Sequence, residues 1–196
     1  GATTTVSAGQ SITANAGIRN NGTLELNSVS TSYSSLITDK VYGDVIYNRH
    51  VNNNDSDSAT GNNDLVSAPV TNANQTVAVL TANNPIPTGT IGGVPSVLFG
   101  PFDNGINNYI NYPTADVTTV LTAGTGYRTA SDSNLYPTGT TFEFVGNVET
   151  GTLAVPIAVG ASSRSNLIGN PYPSYITLSS FLAANNTQFN PTSSGI

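Results

Sequence analysis

Apolar residues along this chain come in short alternating runs, broken every few positions by Gly, Asn or Pro. Residues 5–29, TVSAGQSITANAGIRNNGTLELNSV, place Val6, Ile12, Ile18 and Leu24 at a constant six-residue step between Ala-Gly and Asn-Gly turns. That step fits the coil of a short β-solenoid, and a simple meander fits it equally. Next, YSSLI (33–37) and VYGDVIYNRHV (41–51) read as strands, with Val45, Tyr47 and Arg49 alternating against Ile46, Asn48 and His50. DLVSAPV (64–70) and QTVAVL (75–80) continue the apolar stretches. Further strands are predicted at VPSVLFGPF (94–102), NNYINY (107–112), TTVLTAGTGYRTA (118–130), TTFEFVGNV (140–148) and GTLAVPIAV (151–159).

Between these runs, 52–64 is polar and turn-rich, and the prolines and glycines of 81–93 predict an irregular loop. Phe142 and Phe144 share one face of their strand and Glu143 takes the other, as a sheet buried on one side requires; Gly146-Asn147 then reads as a hairpin turn. Helix signals are sparse. The single candidate is LSSFLAAN (178–185), capped by Ser174 or Thr177, with Leu178, Phe181 and Leu182 at i, i+3, i+4 and Asn185-Asn186 as its stop. About nine short strands at regular turn spacing predict an all-β fold, an antiparallel β-sandwich or jelly-roll. Residues 41–196 form that module, residues 1–40 a lead-in sheet or short solenoid, and at most one short C-terminal helix is expected.

Composition narrows the partners. Only 8% of the 196 residues are charged, against about a quarter in ordinary domains. Solubility must then come from Asn, Thr, Ser and Gly, a surface little affected by salt. The net charge is −6, with one lysine (Lys40) and four arginines (Arg19, Arg49, Arg128, Arg164). Phosphate backbones need clustered cations, so nucleic acid is excluded, and an anionic membrane surface is disfavoured on the same ground. The chain has no cysteine, methionine or tryptophan, which excludes disulfides and thiol nucleophiles and suits an extracellular protein. No stretch reaches the roughly 18 apolar residues of a membrane-spanning helix. The chain opens at Gly1 without an initiator methionine and ends at Gly195-Ile196, and it is expected to be a processed piece of a longer export product.

Six stretches in order, VYGDVIYNRHVN, LVSAPV, FGPFDNGINNYINY, LTAGTGYR, TTFEFVGNVETG and NLIGNPYPS, resemble secreted cell-surface proteins of Bacteroidota, commonly exported by the type IX route. The resemblance covers roughly residues 41–185. It implies a secreted or cell-surface β-rich module and implies no reaction. The sorting domain of such proteins is not in this chain.

Candidate chemistry is thin. In NLIGNPYPSYI (166–176), Pro171 and Pro173 fix their own φ and extend Asn170 and Tyr172, Gly169 allows close approach, and Asn166 and Asn170 can satisfy nearby backbone groups. Architecture is the expected role of Gly169, Asn170, Pro171, Tyr172 and Pro173, with a tyrosine-lined ligand shelf as the alternative. His50, the single histidine, is expected to be an ordinary strand residue. AGTGYR (123–128) lacks the strand-to-helix context of a phosphate loop and reads as a tight hairpin presenting Tyr127.

No catalytic residues are expected. The enzyme alternative is a glycan hydrolase pairing Glu143 or Glu149 with Asp132, and Glu25 is the one remaining glutamate. A carbohydrate-binding module would gather Tyr109, Tyr112, Tyr127 and Tyr172 on one exposed face. Asn53, Asp55, Asp57 and Asp64 imitate the spacing of a calcium loop, although Ser58 stands where its glycine belongs and no helices flank it. Calcium there is the one cofactor worth weighing against a solvated loop, and Asp103-Asn104-Gly105 is a second oxygen-rich turn. Asp57-Ser58-Ala59 matches a short O-glycosylation acceptor pattern at Ser58. Because edge lysines are nearly missing, edge pairing with copies of the chain or with neighbouring domains is expected, through residues 1–12 and 151–159.

Overall fold

The computed structural model describes residues 1–55, 63–116 and 118–189. They fold mostly as short strands, with two short helices. The N-terminal strands wind in stacked coils. Thr3–Val6 lies parallel to Thr23–Leu26, which lies parallel to Val45–Val51. Ser11–Ala14 runs parallel to Ser35–Thr38, and Ile18–Arg19 to Val41–Tyr42. A meander would have made these neighbours antiparallel. Each coil takes roughly twenty residues, the short end of solenoid repeats. The six-residue step puts one apolar side chain on each successive side of a coil: Val6, then Ile12, then Ile18, then Leu24 at the start of the next. A small hairpin, Ser28–Val29 against Ser32–Tyr33, interrupts the second coil.

The coils merge into one sheet whose strand order is Thr3–Val6, Thr23–Leu26, Val45–Val51, Thr140–Val148 and Val70–Thr71. Register aligns Val6 with Leu26, Leu26 with Tyr47 and Tyr47 with Phe144. All four are buried, so one apolar row crosses four strands and the coil shares its core with the rest of the chain. Thr140–Val148 is a single strand rather than the expected hairpin. Its first seven residues pair with Val45–Val51 and its last two with Val70–Thr71. At the changeover, a Cβ on Gly146 would stand 2.5 Å from the Thr71 backbone. That glycine permits close approach of the two chains, and no turn forms there.

A second, antiparallel sheet runs in the order Asp64–Ser67, Gly126–Thr129, Phe99–Asp103 and Asn108–Tyr109. Tyr127 stacks on Phe99 with centroids 4.7 Å apart, and Val66, Phe99 and Tyr127 join Leu26, Phe142 and Phe144 in one buried cluster. A separate hairpin pairs Thr88–Ile91 with Val94–Val97. The fold is therefore largely β, built from small and fragmented sheets.

Besides the expected hairpin at Gly146-Asn147, and the 81–93 loop, which holds the end of a helix and the strand Thr88–Ile91, two expectations are corrected. The Val-rich stretch at 75–80 is helical: α1 spans Val77–Asn83, so the C-terminal helix is not the only one. Thr76 caps it by accepting from the Val79 N–H at 3.3 Å, and Val77 and Leu80, three residues apart, are both buried while Val79 is exposed. Burial of that one face overrides the β preference of valine. The second correction is GTLAVPIAV (151–159), which forms no ladder and stays largely exposed; Pro156 removes a donor from its middle. The C-terminal helix does form, as α2 (Leu178–Ala184), with Thr177 at the N-cap position but no side-chain cap bond and no buried residue.

Side-chain amides close the flank of the long strand that α1 faces. Asn84 accepts from the Glu143 N–H at 2.8 Å and donates to the Glu143 carbonyl at 3.3 Å. Gln75, its amide orientation set by the surrounding donors and acceptors, accepts from the Val145 N–H at 2.7 Å and donates to the Val145 carbonyl at 3.0 Å. Both amides present the donor–acceptor pair that a neighbouring strand would. Asn166 repeats the device on Ala158, accepting at 3.1 Å and donating at 2.9 Å.

Candidate functional site

The Gly169–Tyr175 segment is a clamp. A Cβ on Gly169 would stand 2.3 Å from the Ser67 Cβ and 2.7 Å from the Thr125 carbonyl oxygen, so only glycine lets the segment lie against the second sheet. Asn170 accepts from the Tyr172 N–H through its side chain at 3.1 Å and donates to the Ser174 carbonyl at 2.6 Å, holding the prolines' turn. Ser67 Oγ donates to the Asn170 carbonyl at 2.7 Å. On the other flank the Leu36 N–H donates to the Pro173 carbonyl at 2.7 Å, and the Tyr175 hydroxyl donates to the Tyr33 carbonyl at 3.0 Å. The Tyr172 hydroxyl donates to the Gly151 carbonyl at 2.7 Å. Pro171 and Pro173 are buried. The segment thus ties the second coil, the second sheet and the 151–153 loop to one another.

Beside the clamp lies a cleft of about 350 Å³, walled by Tyr33, Ser34, Tyr47, Arg49, Tyr172 and Tyr175 among others. Tyr47 and Arg49 reach it from one face of Val45–Val51, and Tyr33 and Ser34 come from the second coil. The Arg49 guanidinium lies over the Tyr33 ring, 4.2 Å from its centroid, and donates to the His50 carbonyl at 2.8 Å. Among the described residues no carboxylate lines the cleft. The Ser34 hydroxyl is buried and has no hydrogen-bond partner among the described residues. Burial pushes the Tyr47 hydroxyl above its usual range, opposed by the nearby Arg49 charge.

No protein-family model matches the chain, and neither a curated protein nor a solved structure matches it. Function must therefore be read from the residues alone.

The other candidates scatter. Tyr127 is buried on Phe99, with its hydroxyl accepting from the Thr122 N–H at 3.0 Å; it faces the core rather than being presented by its turn. Tyr112 lies 6.3 Å from Phe99, and burial pushes its pKa up to about 12. Tyr109 packs edge-on to Phe102 under the Arg128 guanidinium. Of the four tyrosines that a carbohydrate-binding module would gather on one face, Tyr172 alone lines the cleft. Glu143 lies within Thr140–Val148 and Glu149 just past the end of that strand. The Asp132 carboxylate accepts from the Asn134 N–H at 2.9 Å and shapes its own turn.

In the oxygen-rich loop, Asn53 accepts from the Asp55 N–H at 2.9 Å and donates to the Pro137 carbonyl. Asp64 accepts from the Asn52 backbone and side-chain amides at 2.7 and 3.0 Å. Asp57 and Ser58 lie outside the described residues. Among the described residues no three carboxylate, imidazole or thiol groups gather. Asp103 accepts from the Gly105 N–H at 2.8 Å, an ordinary Asx turn. Burial and the Arg49 charge lower the His50 pKa, while Asp64 opposes them.

Sequence reasoning passed over Tyr33, Ser34, Tyr47, Arg49 and Tyr175 as a set. One signal was present: the alternation that places Val45 and Tyr47 inward puts Arg49 on the same face, an uncommon side for a cation.

Proposed function

We propose that this chain is a non-catalytic, extracellular structural or adhesive module of a cell surface, joined to copies of itself or to neighbouring domains by edge-strand pairing. Its two main sheets act as the layers of a sandwich onto which the N-terminal coils are built. The observation that carries the reading is the open flank of Thr3–Val6, first in the sheet order with no strand paired on its outer side among the described residues. Within the chain, Thr23 N–H donates to the Ala2 carbonyl and Asn27 N–H to the Val6 carbonyl. Even-numbered residues therefore face the second coil, and by strand alternation Thr3 and Thr5 turn their N–H and C=O groups outward. An unpaired parallel edge of Thr residues without charge is a template for another strand. The corrected 151–159 segment offers no such ladder, so association rests on the coil end.

The test compares the wild-type chain with Thr5→Pro and with a chain lacking residues 1–12, by sedimentation and electron microscopy. Proline at Thr5 removes an outward N–H and leaves the in-chain ladder intact. Concentration-dependent oligomers or fibres in wild type, abolished by Thr5→Pro at an unchanged melting temperature, are expected. A wild-type chain that stays monomeric at high concentration reduces the reading to a single stalk domain.

A further inference from the structure

We infer that the cleft between the clamp and the second coil binds a carboxylate-bearing saccharide, with Arg49 receiving the carboxylate and the tyrosine rings receiving the sugar. The inference is independent of edge pairing, because the cleft lies among residues 33–49, 65–69 and 170–176 and the open edge at residues 3–6.

Unsatisfied donors are the first support. Arg49 uses one donor on the His50 carbonyl, and a guanidinium carries five. The Ser34 hydroxyl is 1% exposed and unpartnered, and no partner takes the Tyr47 hydroxyl among the described residues. A buried hydroxyl without a partner costs stability unless a ligand or water completes it. Arg49 and Tyr47 line the cleft with donors left for an acceptor, whereas the Ser34 hydroxyl is sealed from solvent and adds only a buried polar group beside it.

Charge is the second. The chain has 11 acidic and 5 basic residues, yet among the described residues this cleft contains a cation and no carboxylate. Among the described cations, Arg19 and Lys40 lie over the exposed Tyr42 ring and Arg128 also donates to Asn111 at 3.1 Å. Arg49 alone lines the cleft. One guanidinium matches a monoanion such as a carboxylate; a phosphate dianion would call for more than one cation.

The walls supply the third. The hydroxyls of Tyr172 and Tyr175 are engaged by the clamp, so their rings are held in place before a ligand arrives, which lowers the ordering cost of binding. Fixed aromatic faces beside neutral Ser and Asn groups suit a sugar ring, which has apolar C–H faces and a hydroxyl rim. The volume, about 350 Å³, is at the small end of ligand sites, about 300–1,000 Å³, and admits a short saccharide.

The test is calorimetric titration of the full chain, backed by ligand-observed NMR, with oligosaccharides ending in glucuronic acid or N-acetylneuraminic acid. Controls are the neutral parent sugars, the methyl ester of the glucuronate, and acetate. Binding of the acidic sugars, weakened about tenfold or more by esterification and by Arg49→Gln, and partly retained by Arg49→Lys, is expected. The affinity should also fall with added salt. Equal binding of acidic and neutral sugars overturns the role of Arg49, and acetate binding as tightly as the acidic sugars overturns the saccharide. Absence of binding by every acidic sugar overturns the site. Should Arg49→Gln fail to fold, the ester comparison on the wild-type chain decides alone.

Discussion

Replacing Asn84 by alanine tests whether a side-chain amide stands in for a strand. Asn84 is 6% exposed and its amide makes three hydrogen bonds, to the Leu80 carbonyl at 2.9 Å and to both backbone groups of Glu143. Alanine leaves the Glu143 N–H and C=O without partners on that flank. Each orphaned group costs about 1–3 kcal/mol when buried. Because Glu143 is half-buried and water reaches part of it, the sum should fall near 2–3 kcal/mol. For a chain of this size that is roughly 5–10 °C in melting temperature.

Calorimetry measures the loss, and hydrogen exchange localises it: the amides of Glu143 and Val145 should lose protection first. Asn84→Asp keeps the acceptor for the Glu143 N–H but turns carboxylate oxygens toward two carbonyls, so it should lose at least as much. Gln75→Ala should behave alike, and the two losses should not add, since both amides flank α1 on the same strand. Melting of Asn84→Ala within about 1 °C of wild type, with Glu143 still protected, would refute the stand-in argument, because a loss near 2–3 kcal/mol cannot hide in that interval.

Two further predictions follow from groups already placed. Because the folded His50 pKa lies below its ordinary value, the unfolded chain binds the proton more readily; stability contributed by neutral His50 is present above pH about 6.5 and declines as the pH falls toward the folded pKa. A urea-melt pH series should show that decline as the pH falls below about 6.5, and His50→Gln should remove it; an identical slope in the variant would refute it. Chelation should leave the melting temperature unchanged, because Asn53 and Asp64 already engage their oxygens within the chain. A drop on chelation, reversed by calcium, would assign the ion to the 53–64 loop through ligand-linked stabilisation.

Much of the strand content was legible because strict alternation has one structural meaning. Val45, Tyr47 and Phe142, Phe144 point inward as their spacing requires. The helix at Val77–Asn83 was not legible, since a seven-residue element offers two turns of pattern and its valines vote for strand. GTLAVPIAV was misleading for the opposite reason: it is apolar and β-branched, but no neighbour lies in register to pair with it. The clamp was legible in its prolines and glycine, whose backbone constraints are local. The cleft was not, because Tyr33 and Tyr175 meet across 142 positions of sequence, and no local pattern encodes a contact at that range. Arg49, Ser67, Asn170, Tyr172 and Ser174, far apart in sequence, line that one cleft.

A chain with so few charges must do by other means what lysine and glutamate do elsewhere. Four of its five cations lie over tyrosine rings, which relieves them without an ion pair and leaves their attraction less dependent on salt. Its amides do the work of missing strands at Glu143, Val145 and Ala158. That second device bears on assembly. Edge strands are dangerous because their backbone groups invite any passing strand, and here the longest strand's flank is closed by Asn84 and Gln75. Along Thr3–Val6 no side chain does the same among the described residues; the Thr5 hydroxyl reaches sideways to Glu25 at 3.4 Å and not over the edge. The proposed strand pairing uses the flank that the amides leave open, and Thr5→Pro is a small change that tests it by removing one outward N–H.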